Sequence, residues 1–272
     1  MGPLATLALV DFGIQWAVWS VSSFFATEHF YDLTGSLTFL LVTYLGLRLG
    51  GGGGRSGGGR GGGSIGVLDS SSARQLVASG LVMTWALRLG SFLFLRVLRA
   101  GEDVRFKRVK HEPATFFVWW TIQGVWVLVT LLPTLLLLLK RDSVPLGPRD
   151  ILGWTLWVIG FLVEVTADRQ KSAFKADPEN AGRFISSGLW SVSRHPNYFG
   201  EMTLWAGLWL SASSTYAGVE HLSVLSPAFV AFLIAKVSGI PILERTAEKR
   251  WGHDAAYVAY RDHTALLVPF LW

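Results

Sequence analysis

The 272-residue sequence has no cysteine and little charge. The first absence excludes disulfides and thiolate metal sites, and it leaves the compartment unreadable from thiols. The second says more. Asp, Glu, Lys and Arg make up 16% of the chain, against about 25% in soluble domains. Hydrophobic residues reach 51%, and thirteen residues are Trp. A membrane protein is the expectation.

Seven apolar runs are present: Leu4–Ala26, Leu33–Leu49, Leu76–Leu98, Ala114–Leu139, Ile151–Ala167, Gly200–Tyr216 and Leu222–Ile240. A span needs about 20 apolar residues, with about 17 as the lower limit. The sequence therefore predicts an all-α polytopic membrane helix bundle, a single integral membrane domain over 1–272. It has seven spans, or six if the last two runs form one broken hairpin. With seven, one face carries fourteen Lys/Arg, in Arg99–Pro113, Asp168–Arg194 and the segment after Ile240. The other carries seven: Arg48, Arg55, Arg60, Arg74, Lys140, Arg141 and Arg149. Positive-inside bias makes the richer face cytosolic.

Residues 50–64 are nearly pure glycine. They contain Gly52-x-Gly54-x-x-Gly57, formally a dinucleotide fingerprint, which has meaning only between a strand and a helix. Here composition alone produces it, so the stretch reads as a flexible loop. One Arg60-Gly61-Gly62 does not make an RNA-binding tract, and no nucleic-acid partner is expected.

Polar residues inside apolar runs are costly and mark interior faces. Asp11 and Gln15 lie four apart and should face the bundle. Arg88, in the third run, should turn inward towards a carboxylate, with Asp11 and Asp32 as candidates. Glu28, His29, Tyr31 and Asp32 form an acidic loop, and Gly101–Lys107 mixes both charge signs. Ala114–Leu139 is apolar nearly all round, contains Pro133 and reads as a lipid-facing structural helix.

Chemistry concentrates in the second half. Glu164, Asp168, Lys171 and Lys175 are spaced to share one helical face that changes from acidic to basic. Ser193–Glu201 reads S-R-H-P-N-Y-F-G-E. Pro196 suits the first turn of a helix, whose free N–H groups, beside Arg194 and His195, suit an anion such as phosphate. Asn197, Tyr198 and Glu201 add hydrogen-bonding groups. Near the C-terminus, Glu244, Glu248 and Trp251 share one helical face, and Tyr257 and Tyr260 share the next.

Together with F-Y-D-L-T-G-S-L-T-F at 30–39, A-D-R-Q-K-S-A-F-K-A-D-P at 167–178 and L-L-V-P-F at 266–270, this motif resembles the steroid 5-alpha-reductase C-terminal superfamily, in the branch called DUF1295. Sterol C14 reductases and isoprenylcysteine carboxyl methyltransferases are more distantly similar. The likeness is strongest over residues 167–270. It implies an endoplasmic-reticulum enzyme that uses NADPH to reduce a double bond of a steroid- or other lipid-like substrate, with the cofactor site facing the cytosol. The cofactor-binding residues it implies are Asp168, Lys171, Lys175, Arg194, His195, Asn197, Tyr198, Glu201, Glu244, Tyr257 and Tyr260. Tyr31 and Asp32 stand in for the catalytic pair that polarises the substrate in relatives. The resemblance also admits an S-adenosylmethionine-dependent methyltransferase, which Glu244, Glu248 and Trp251-Gly252 echo, and a non-catalytic lipid-binding protein.

Overall fold

A computed structural model describes residues 1–51, 72–100, 103, 105–141 and 144–271. Among these there is no strand. The helices are α1 Pro3–Phe24, α2 Tyr31–Gly51, α3 Ala73–Ala100, α4 Pro113–Leu138, α5 Pro148–Ala176, α6 Pro196–Ala212, α7 Leu225–Phe232, α8 Ile240–Trp251 and α9 Ala255–His263, with short 3-10 turns between them. A π turn at Leu233–Val237 joins α7 to α8. The fold is the expected all-α polytopic bundle. Among the described residues, six helical stretches are long and apolar enough to cross a membrane: α1 to α5 and the run Gly218–Trp251. The expected sixth run appears as α6, which has 17 residues and spans about 25 Å. Of the glycine-rich loop, α2 takes the first two residues, and the rest lies outside the described residues.

The chain divides into two units, 1–147 with 212–226, and 148–211 with 227–272.

In the first unit a ladder of buried polar side chains links α1, α2 and α4. Asp11 and Gln15 are fully buried, as their spacing requires. The Gln15 amide donates to Asp11 Oδ1 and to Thr38 Oγ1, both at 3.2 Å. Gln123 Nε2 donates to Gln15 Oε1 at 2.9 Å and to the Tyr31 carbonyl at 3.0 Å. Without water to serve these groups, such pairing is obligatory. The ladder corrects the reading of α4 as lipid-facing. Phe116, Trp120, Gln123, Val127, Leu131 and Leu135 are buried along it. A helix apolar all round suits a core as well as lipid, and pattern alone does not separate the two. Pro133 withholds one N–H from the α4 ladder. Nearby carbonyls find other donors: Tyr216 Oη donates to Pro133 O at 2.6 Å, and Ser226 Oγ to Thr130 O at 3.2 Å.

At one end of this unit the two charged loops meet. Arg105 Nη2 lies 2.8 Å from Asp32 and 2.7 Å from Asp103, and Arg96 approaches Asp32 at 3.7 Å. Lys110 Nζ pairs with Glu28 at 2.9 Å. The acidic and basic loops thus neutralise each other. The Arg88 guanidinium lies 5.2 Å over the Phe92 ring.

In the second unit α5 and α6 run antiparallel with their backbones in contact. A methyl group at Gly160 would sit 2.5 Å from the Gly200 carbonyl oxygen, and one at Gly153 would sit 2.5 Å from that of Gly207. The reverse distances are 2.5 and 2.4 Å. Only glycine permits this approach. Past the π turn, a side chain at Gly239 would meet Ile234 O at 2.6 Å and the Tyr198 ring at 3.1 Å, so α8 starts tight against α6. The tail returns to the start of α6: Arg194 N donates to Ala265 O and Ser193 Oγ to Leu267 O, each at 2.8 Å.

Candidate functional site

The R-H-P stretch forms the entry to α6, which begins at Pro196 as its sequence requires. Ser193 Oγ accepts from the His195 N–H at 3.2 Å, fixing the turn that aims two side chains at α8. There one carboxylate serves both. Glu244 Oε2 takes Arg194 Nη1, and Glu244 Oε1 lies 2.8 Å from His195 Nε2. The sequence pattern pointed to an anion beside Arg194 and His195, and in the fold the chain supplies it. The charge of Arg194 is therefore largely compensated.

His195 is 4% exposed, and its ring stacks on Tyr198 at 5.7 Å and 18°. Burial holds its pKa below the ordinary imidazole value; Glu244 pulls the other way, while Lys171 and Arg194 push further down. A neutral ring facing a carboxylate must donate from Nε2, because the carboxylate only accepts. Nδ1 is then a bare acceptor.

One turn into α6, Asn197 Nδ2 donates to Asp168 Oδ1 of α5 at 3.2 Å. The expected α5 stripe passes from buried Glu164 and Asp168 through half-buried Lys171 to exposed Lys175. Lys171 Nζ sits 4.4 Å over the Trp190 ring, a cation–π contact. Trp190 is fixed by Nε1 donating to Ala167 O at 3.1 Å and by Tyr260 Oη donating to its own carbonyl at 2.7 Å. Tyr257 is buried and packs edge-on to Phe184 at 5.2 Å. Trp251 Nε1 donates to Gly182 O at 2.6 Å, and exposed Glu248 pairs with Arg261 at 2.9 Å. Glu201 follows Asn197 by one turn of α6 and is half-buried.

Within residues 194–197, three buried polar atoms have no hydrogen-bond partner among the described residues: Arg194 Nε, His195 Nδ1 and Asn197 Oδ1. Such atoms are costly unless something meets them. All three belong to the motif.

Tyr31 and Asp32 lie in the first unit. Tyr31 packs with Phe106, Phe116 and Trp120 and donates its hydroxyl to Trp119 O at 2.8 Å, while Asp32 holds Arg105. Sequence reasoning passed over Trp190, Gln170 and Phe184. Gln170 Oε1 accepts from Leu189 N at 2.9 Å, beside Gly188 at φ +62°. The signal for this corner was S-G-L-W, running straight into the motif.

A helical membrane bundle with a buried, charge-paired polar cluster at a helix entry is thus the class to which this chain conforms. It belongs to the family described as "Protein of unknown function (DUF1295)", which matches residues 18–264. It is 26% identical over 125 residues to 3-oxo-5-alpha-steroid 4-dehydrogenase 1 of Macaca fascicularis, covering 46% of this chain and 42% of that protein. To the probable O-methyltransferase ustE of Ustilaginoidea virens it is 27% identical over 144 residues, 47% of this chain and 49% of the relative. To the Delta(14)-sterol reductase of Arabidopsis thaliana it is 28% identical over 117 residues, 39% and 27% respectively. The chain thus spans less than half the length of each of these relatives. No solved structure matches it.

Proposed function

We propose that the protein is an NADPH-dependent membrane oxidoreductase that reduces a carbon–carbon double bond of a steroid- or other lipid-like substrate. The observation that carries the reading is the trio of partnerless buried atoms on Arg194, His195 and Asn197, with Lys171 of α5 near enough to act on the His195 ring. A dinucleotide fits this donor set, since it brings phosphates for lysines and uncharged polar edges for amides and imidazole. Lys171 and Lys175 would hold phosphate oxygens. Arg194, His195 and Asn197 would hold an uncharged part, with Asp168 and Glu244 keeping their side chains in place. When bound, NADPH supplies the hydride, and a proton completes the reduction. The similarity to a steroid dehydrogenase and a sterol reductase supports both the reaction class and the lipid-like substrate. The Lys/Arg distribution supports a cytosol-facing site, and the resemblance in sequence implies the endoplasmic-reticulum membrane.

A second reading has an observation of its own, the similarity to a probable O-methyltransferase. It makes S-adenosylmethionine the rival ligand. Purified protein in detergent, titrated with NADPH, NADH and S-adenosylmethionine, separates the two. Tightest binding of NADPH is the expected result, and preference for S-adenosylmethionine overturns the reading.

A further inference from the structure

The partners already in place fix what each of the three buried atoms has left to offer. Glu244 accepts from His195 Nε2 at 2.8 Å, which leaves Nδ1 as an acceptor. Asp168 accepts from Asn197 Nδ2 at 3.2 Å, which leaves Oδ1 as an acceptor. The Arg194 Nη1 meets Glu244, and Nε–H remains as a donor. The set is therefore two acceptors and one donor, on residues 194, 195 and 197 at one helix entry. A phosphate brings no hydrogen to two acceptors at neutral pH, and a single hydroxyl brings one. A planar amino group brings two, and beside an acceptor it matches all three atoms.

We propose that Arg194, His195 and Asn197 together read an amino-bearing edge of the cofactor, an NH2 group flanked by a hydrogen-bond acceptor. This rests on the dinucleotide reading above and deepens it. Two parts of NADPH carry that edge: the carboxamide of the nicotinamide end, and the 6-amino group of adenine with its adjacent ring nitrogen. Arg194 thereby serves recognition of an uncharged group, and the phosphates fall to the lysines.

Dissociation constants in detergent, read from dinucleotide fluorescence or competition, test the assignment. One analogue is reduced 3-acetylpyridine adenine dinucleotide phosphate, which replaces the carboxamide with a methyl ketone. The other is reduced nicotinamide hypoxanthine dinucleotide phosphate, which replaces the 6-amino group with a carbonyl. One analogue should bind the wild type about ten- to a hundredfold more weakly than NADPH, the effect of two buried hydrogen bonds left unmade. Which one suffers names the end that docks. In His195→Phe, which keeps the ring stacked on Tyr198, and in Asn197→Ala, the ratio of analogue to NADPH affinity should move towards one. Equal binding of NADPH and both analogues by the wild type overturns the proposal. So does a discrimination that both variants retain in full. Size-exclusion chromatography checks that each variant is folded, and the wild-type ratio decides even where one is not. Failure of the wild type to bind NADPH at all is a different result, and it removes the oxidoreductase reading itself.

Discussion

A single carboxylate, Glu244, sets the chemistry of two motif residues. It compensates Arg194 and dictates which nitrogen of His195 keeps its proton. Glu244→Gln should cost about 1.5–3 kcal/mol of stability, the range for hydrogen bonds to charged groups, measured by denaturant unfolding in detergent. A cost near zero would mean that solvent already serves Arg194. The depressed pKa of His195 makes a second prediction. The unfolded chain takes up a proton below the ordinary imidazole pKa of about 6.5, and the folded site resists it because the ring is buried. The stability tied to the neutral ring is therefore full above that pH. It is lost as the pH falls towards the lowered native value, by at most about 1.4 kcal/mol per pH unit. His195→Phe should flatten that part of the stability profile, below about pH 6.5. Parallel profiles for wild type and variant would count against it.

At the scale of elements, the α5–α6 crossing depends on glycine. Gly153→Ala and Gly207→Ala each drive a methyl group to about 2.5 Å from a backbone oxygen. Overpacking of this kind should cost about 1–3 kcal/mol. Gly80→Ala in α3 meets nothing within 4 Å, so it should be neutral or stabilising by up to about 1 kcal/mol through helix propensity. Thermal unfolding of the three variants checks the contrast, and equal losses at all three positions would deny the crossing its role. Much of this level was legible in the sequence. Apolar runs and Pro196 placed the helices because helix period, span length and proline geometry are local rules. The polar face of α1 was readable from Asp11 and Gln15 for the same reason. Which side of α4 faces protein was not, since nothing in an all-apolar helix marks it. Arg194, His195 and Glu244 were each visible as candidates. Their convergence on one carboxylate was not, because it joins residues fifty apart in sequence through a fold that spacing does not encode.

For the whole molecule the open quantity is the number of crossings. Glu244 is bonded to Arg194 and His195, so the start of α6 and the middle of α8 lie on one side of the membrane. Between them the chain must cross an even number of times. The stretch Gly218–Trp251 is long and apolar enough for one crossing, and α6 must supply the other in spite of its 17 residues. A helix about 25 Å long crosses a hydrocarbon core of about 30 Å where the bilayer thins locally. Seven crossings are therefore the expected count, and the fourteen-to-seven division of Lys/Arg predicts that the ends of α5 and α8 face the cytosol. The absence of cysteine makes the test direct, because every introduced thiol is unique. Lys107→Cys, Lys175→Cys and His253→Cys should react with a membrane-impermeant maleimide added outside sealed, cytosol-side-out vesicles. Ser56→Cys should react only after detergent is added. Labelling of His253→Cys from the side opposite to Lys175→Cys would show that α6 does not cross, and labelling of Ser56→Cys from the outside would invert the arrangement of the first spans.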